Sequence, residues 1–181
     1  SCSADFTVTV NTVPVVTSLL TTTICSGTAL NYTPTAQVPG TTFSWTTSTG
    51  SCTGNNSGQG TTISDVLFNN GNEPCTVQYQ ITPMGPAPTN CLGSASTLVV
   101  EVLPVAQVTN ATNSQVVVSG QLSATVHIET NVTGANVRWE FFDVTCPGFI
   151  GPYLTNGTGP VIPAQILTLL PGSPSVCSLR Y

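Results

Sequence analysis

Seven cysteines, one histidine and seven carboxylates carry most of the chemistry available to this 181-residue sequence, which has two arginines and no lysine. A thiol nucleophile needs a general base within hydrogen-bond reach, and a protein metal site needs several convergent ligands. His127 is the sole imidazole; it lies between Val126 and Ile128, where alternation marks it as a solvent-facing strand residue. The carboxylates Asp5, Asp65, Glu73, Glu101, Glu129, Glu140 and Asp143 form no Asp-x-Asp pattern and no calcium-loop spacing. Glu140 and Asp143 are the nearest to a calcium pair. No catalytic residue, metal site or cofactor is assigned, and the lack of lysine excludes Lys–Asn isopeptide cross-links.

The cysteines instead mark a repeat. Trp45 precedes Cys52 by seven residues, and Trp139 precedes Cys146 by seven; Cys75 precedes Tyr79 by four, and Cys177 precedes Tyr181 by four. Such agreement implies a tandem unit of about 90 to 94 residues. Phe43-Ser44-Trp45 and Val137-Arg138-Trp139 alternate, which puts Phe43, Trp45 and Trp139 on the buried faces of strands. Cys75, Val77, Tyr79 and Ile81 share one face of a later strand. If the two strands are antiparallel neighbours, Cys52 meets Cys75. The same argument pairs Cys146 with Cys177.

The elements that position these residues read as strands throughout. Strands are expected near 15–23, 28–33, 42–47, 61–68, 75–82 and 94–103, with Gly and Pro turns between them. No stretch shows a helical period, and 31 threonines favour strands and supply an uncharged polar surface. Phe6, Val8 and Val10 alternate ahead of Val13-Pro14 as Leu98, Val100 and Val102 do ahead of Leu103-Pro104. Residues 1–13 therefore read as the last strand of a preceding repeat, 14–104 as a complete repeat and 105–181 as a diverged repeat lacking its last strand. The fold class is all-β, a tandem of immunoglobulin-like sandwiches. A net charge of −5 excludes an electrostatic grip on nucleic acid, and no apolar run is long enough for membrane insertion. The cysteine content suits an oxidising exterior, and the chain reads as an internal piece of a larger secreted protein.

Ile24-Cys25-Ser26-Gly27-Thr28, Tyr32-Thr33-Pro34-Thr35, Pro39-Gly40-Thr41-Thr42-Phe43-Ser44-Trp45 and Asn90-Cys91-Leu92-Gly93 resemble the PKD-like repeats of giant Bacteroidetes cell-surface adhesins. That class includes gliding-motility adhesins exported by type IX secretion. The likeness covers residues 15 to 104, with the N-terminal strand as the tail of another repeat. It implies an immunoglobulin-like sandwich at the bacterial cell surface, a role in adhesion or as a spacer, and neighbouring repeats as partners. It brings no catalytic residues. The joint presence of Cys25 and Cys91 in such repeats implies a disulfide between them, within one domain if the first strands are rearranged, or across neighbouring domains. A second function class rests on Phe142, Phe149 and Tyr153, aromatics in or near a Pro/Gly-rich loop. Exposed and coplanar, they would stack on surface polysaccharide as a carbohydrate-binding module; buried, they would plug one end of the sandwich. Five Asn-x-Ser/Thr sequons read as chance in an Asn- and Thr-rich bacterial chain.

Overall fold

Period-two alternation sets the strands of the first half. In Cys75–Met84 the residues Cys75, Val77, Tyr79, Ile81 and Pro83 are buried while their neighbours face outward, so one face of a ten-residue strand is committed to a core. The computed structural model describes residues 6–48, 50–110, 114–141, 143–144, 149–150, 154–172 and 179–181. All its regular elements are strands, and the chain divides into two units, Ser1–Val105 and Ala106–Tyr181.

In unit 1 the strands are β1 (Thr21–Cys25), β2 (Thr28–Ala29), β3 (Thr42–Thr47), β4 (Gly58–Gly60), β5 (Val66–Leu67), β6 (Cys75–Met84) and β7 (Ser96–Leu103). One sheet has the order β1-β7-β6-β3-β4, and β2 pairs with β5 in a second layer extended by bridges Val16 to Ala36, Tyr32 to Ile63 and Thr53 to Phe68. Between the layers, Ile63, Leu67, Tyr79, Ile81, Leu98, Val100 and Val102 are wholly buried. The result is a β-sandwich. β7 is antiparallel to β6 and parallel to β1, so it lies between the first strand and the core hairpin.

Two expected strands are divided between the layers. The stretch 15–23 bridges the second layer at Val16 and only then enters the first sheet as β1. The stretch 61–68 is replaced by β4 in the first sheet and β5 in the second. Periodicity does not register a strand that changes sheets, because both layers use the same alternation. Within this chain residues 6–12 form no strand, and Phe6, Val8 and Val10 stand 89, 67 and 88% exposed. Alternation specifies a face for a strand but supplies no partner.

Unit 2 contains β8 (Gln121–Leu122), β9 (Val126–His127), β10 (Arg138–Glu140), β11 (Asp143–Val144), β12 (Phe149–Ile150), β13 (Asn156–Thr158), β14 (Val161–Ile162), β15 (Ile166–Leu169) and β16 (Leu179–Arg180). Its pairings are β10 with β13, β11 with β16, β14 with β9, and β15 between β12 and β8.

The two tryptophans occupy matching places. Trp45 on β3 lies opposite Gly58 on β4, and Trp139 on β10 lies opposite Gly157 on β13. A Cβ at Gly58 would come within 3.1 Å of the Trp45 ring, and one at Gly157 would run into the ring of Trp139. Each glycine therefore gives its indole a flat bed, and Trp45 and Trp139 are 8 and 7% exposed. Replacing Trp45 with alanine is expected to destabilise unit 1 by about 3–5 kcal/mol in chemical denaturation; a loss below about 1 kcal/mol would place the ring outside the core.

Candidate functional site

The polar groups of unit 1 converge on Asp65, which follows the bridge at Ile63 and precedes β5. Its Oδ2 accepts the Tyr79 hydroxyl at 2.7 Å and the Asn56 backbone N–H at 2.7 Å, and its Oδ1 accepts Asn56 Nδ2 at 3.3 Å. Tyr79 belongs to the five-stranded sheet and Asp65 to the opposite layer, so the phenol ties the layers together through the core. Burial, and then the hydrogen bond and charge of Asp65, push the Tyr79 phenol far above its usual range. Asn56 also extends a carbonyl to Trp45 Nε1 at 3.2 Å. Together Trp45, Asn56, Asp65 and Tyr79 form one structural network with no open coordination or nucleophile.

The Ser-Gly of Cys25-Ser26-Gly27 has a comparable duty. Ser26 Oγ accepts the Asn69 N–H at 2.9 Å and donates to the Asn69 carbonyl, while Gly27, at φ 80°, donates its N–H to the Leu67 carbonyl. Asn69 is itself buried, and its Nδ2 donates to the carbonyls of Glu73 and Val102, both at 2.8 Å. This fixes the turn before Cys75.

The cysteines fall into three groups. Cys52 and Cys75 form a disulfide with Cα atoms 5.7 Å apart and both residues buried. Cys25 and Cys91 are free, the first exposed and the second half-buried. Of the two arrangements open to them, pairing within one domain is not formed: Cys25 lies beside Leu103 at the end of β7, whereas Cys91 precedes the start of β7 at Ser96. Seven strand steps span about 23 Å, far beyond the roughly 7 Å a disulfide permits. Cys91 lines a shallow cleft with Asn11, Thr12, Gln37, Pro39 and Pro86, and no acid or imidazole lines it. Cys2, Cys146 and Cys177 lie outside the described residues.

Phe142 and Tyr153 lie outside them too, and for Phe149 only the backbone is described, paired opposite Leu169. The aromatic platform thus has no described geometry. His127 is exposed on β9, Glu140 is exposed on β10, and among the described residues no three His, Cys, Asp or Glu gather into a metal site.

Sequence reasoning missed Asp65, Asn69, Gly58 and their counterparts. The last are visible because the hydrogen bonds recur. Gly120 N donates to Leu167 O as Gly27 N does to Leu67 O, and Ser123 N donates to Gln165 O as Leu30 N does to Asp65 O. Ser119 Oγ accepts Leu169 N as Ser26 Oγ accepts Asn69 N. The Tyr181 hydroxyl meets Gln165 Oε1 at 3.0 Å where Tyr79 meets Asp65. Trp139 Nε1 departs from the pattern, being buried with no hydrogen-bond partner among the described residues.

The outward face of the five-stranded sheet displays Thr42, Ser44 and Thr46 on β3, Thr76, Gln78 and Gln80 on β6, and Thr21 and Thr23 on β1. Gln80 Nε2 donates to Thr97 Oγ1 at 3.4 Å, and Thr23 Oγ1 donates to Glu101 Oε2 at 3.2 Å. Both arginines and the histidine of the sequence lie in unit 2, so unit 1 presents hydroxyls and amides with no cationic side chain.

Two stacked sheets, a parallel first-to-last strand pair and a buried disulfide at the start of β6 define an immunoglobulin-like sandwich module. Residues 22–106, which make up most of unit 1, match the family model of the PKD-like domain. No curated protein and no solved structure matches the chain.

Removing the Cys52–Cys75 bond by a double serine substitution is expected to lower stability by about 3 to 4 kcal/mol, from the chain entropy released over a loop of 23 residues. Reductant should lower the melting temperature of the wild type and leave the double variant unchanged. The raised Tyr79 pKa makes a second expectation. The unfolded phenol ionises near pH 10 and the buried one resists, so its contribution is complete below about pH 10 and declines as pH rises beyond it, by up to about 1.4 kcal/mol per unit. Alkaline unfolding of Tyr79→Phe should lose that part of the slope; an unchanged alkaline slope would show that Tyr79 does not drive it.

Proposed function

We propose that this chain is a non-catalytic repeat module of a long secreted cell-surface adhesin or filament, serving as a stiff spacer with an adhesive outer sheet face. The observation that carries the reading is the PKD-like match over residues 22–106, in a unit whose polar groups are spent on structure. A buried disulfide supports an oxidising, extracellular setting. The outward face of Thr, Ser and Gln, with Glu101 as its charged side chain on β7, supports a neutral ligand such as surface polysaccharide over nucleic acid or another polyanion, because a surface without cations offers polyanions no counter-charge. Attachment or gliding of the Bacteroidetes kind, with export by type IX secretion, is the setting we propose on the resemblance of the repeat.

Surface display separates spacer from adhesive. Replacing residues 22–106 in the displayed protein by an unrelated sandwich of equal length should preserve reach and remove any specific attachment, whereas deletion should shorten reach as well. Cells that attach equally well after both changes would rule out the proposed role. Glycan arrays probed with the purified chain and with Gln80→Lys would then identify the ligand class by loss of signal in the variant.

A further inference from the structure

Most polar side chains of unit 1 are spent on its own backbone, but those of one cleft are not. The cleft, of about 340 Å³, lies where the chain enters the sandwich, between Asn11-Thr12, the turn at Val38-Pro39 and the loop from Gly85 to Cys91 that follows β6. Its three walls are tied to one another. Gln37 accepts the Val15 N–H through Oε1 at 2.7 Å and donates from Nε2 to the Val13 carbonyl at 3.1 Å, so the turn holds the entering chain. The loop is closed by the Gly85 N–H on the Cys91 carbonyl and the Gly93 N–H on the Pro83 carbonyl. A Cβ at Gly93 would run into the Pro14 carbonyl, and one at Gly40 would press on Pro86 at 3.4 Å, so bare backbone lets the walls meet. A cleft with walls fixed in advance pays little ordering entropy when a ligand fills it.

The lining selects its ligand by chemistry. The side chains of Asn11, Thr12 and Thr89 hydrogen-bond to nothing else among the described residues, and the half-buried Cys91 thiol is free. Pro39 and Pro86 add ring surface and have no N–H to offer. Apart from that thiol no ionisable side chain lines the cleft, so a ligand of either charge would lose water there and gain no counter-charge. A wholly apolar ligand would cover the Asn11 amide and two hydroxyls without satisfying them. The remaining class is a neutral molecule whose groups both donate and accept, and which also presents C–H surface, as a hexopyranose does. The volume lies near the lower end of small-molecule sites and suits a single ring.

We propose that this cleft binds one hexose ring of a neutral polysaccharide, with the Asn11 amide and the Thr12 and Thr89 hydroxyls as its hydrogen-bonding partners and the rings of Pro39 and Pro86 as its apolar surface. No aromatic side chain lines the cleft for the sugar to stack on, so a single site holds it weakly. Firm attachment then requires many units acting together, each raising the effective concentration of sugar for the next. That use rests on the adhesin reading given above, whereas occupancy of the cleft does not, and the cleft shares no residue with the outward sheet face.

Cys91 reports occupancy directly, and Cys25, exposed and outside the cleft, is the internal control. The 181-residue chain is alkylated with iodoacetamide in the presence of the methyl glycosides of glucose, galactose, mannose and N-acetylglucosamine, and each thiol is followed by peptide mass spectrometry. At least one glycoside should slow Cys91 several-fold, saturably, and leave Cys25 unchanged. Asn11→Ala/Thr89→Val, both at exposed positions, should raise the half-protecting concentration about tenfold through the loss of two neutral hydrogen bonds. Slowing of both thiols alike would be a cosolvent effect and would overturn the site. Protection by none of the four glycosides, equal protection by the open-chain polyol sorbitol, or protection untouched in the double variant would overturn it too. Gln80→Lys should leave the protection as it is, so failure of the cleft and failure of the adhesive sheet face are read separately.

Discussion

A phenol hydroxyl bonded to a carboxylate inside the sandwich is the contact on which the first unit depends. Tyr79 reaches out of the five-stranded sheet and Asp65 anchors the opposite layer, so one 2.7 Å bond fixes the separation and the register of the two. Asn56 binds both oxygens of that carboxylate and then supports Trp45, and Trp45 in turn requires the bare surface of Gly58. The half-buried Asp65 carboxylate is held in place by these three hydrogen bonds. Unit 2 keeps the tyrosine and substitutes Gln165, which accepts the same hydroxyl without any charge to desolvate. Its Trp139 Nε1 has no counterpart to the Asn56 carbonyl among the described residues, so the same scaffold is assembled there with a weaker polar frame.

Much of this was legible in the sequence, and the limits have physical causes. Trp45, Phe43 and Tyr79 could be placed in the core because alternation of side chains is a direct readout of a strand face, and Cys52 could be joined to Cys75 because both lie at the same end of neighbouring strands. Asp65 and Asn69 were invisible: a polar residue in a turn carries no periodic signal, and its burial is decided by carbonyls that arrive from distant strands, such as that of Val102. Gly58 and Gly157 sit across from the two tryptophans, but their separations from Trp45 and Trp139 differ, so spacing alone does not align them. Cys25 and Cys91 show how a pair of residues can accompany one another in sequence while one strand length keeps them apart. Phe6, Val8 and Val10 show the converse, a correct face with no sheet to receive it.

The surface follows from the composition in a similar way. With no lysine in the chain and its two arginines at 138 and 180, unit 1 solvates itself through hydroxyls and amides. A sandwich built this way holds its shape by the disulfide and by buried hydrogen bonds.

The placement of β1 beside β7 has a mechanical meaning. The chain enters unit 1 ahead of β1 and leaves it after β7, and these two strands are parallel neighbours joined over five consecutive register pairs. Tension along the polypeptide therefore slides one strand past the other, and the whole ladder must yield at once; it cannot open one rung at a time like a zip. A filament made of such units carries load by shear, and the disulfide at Cys75, on the next strand inward, caps how far the chain can pay out if that ladder fails.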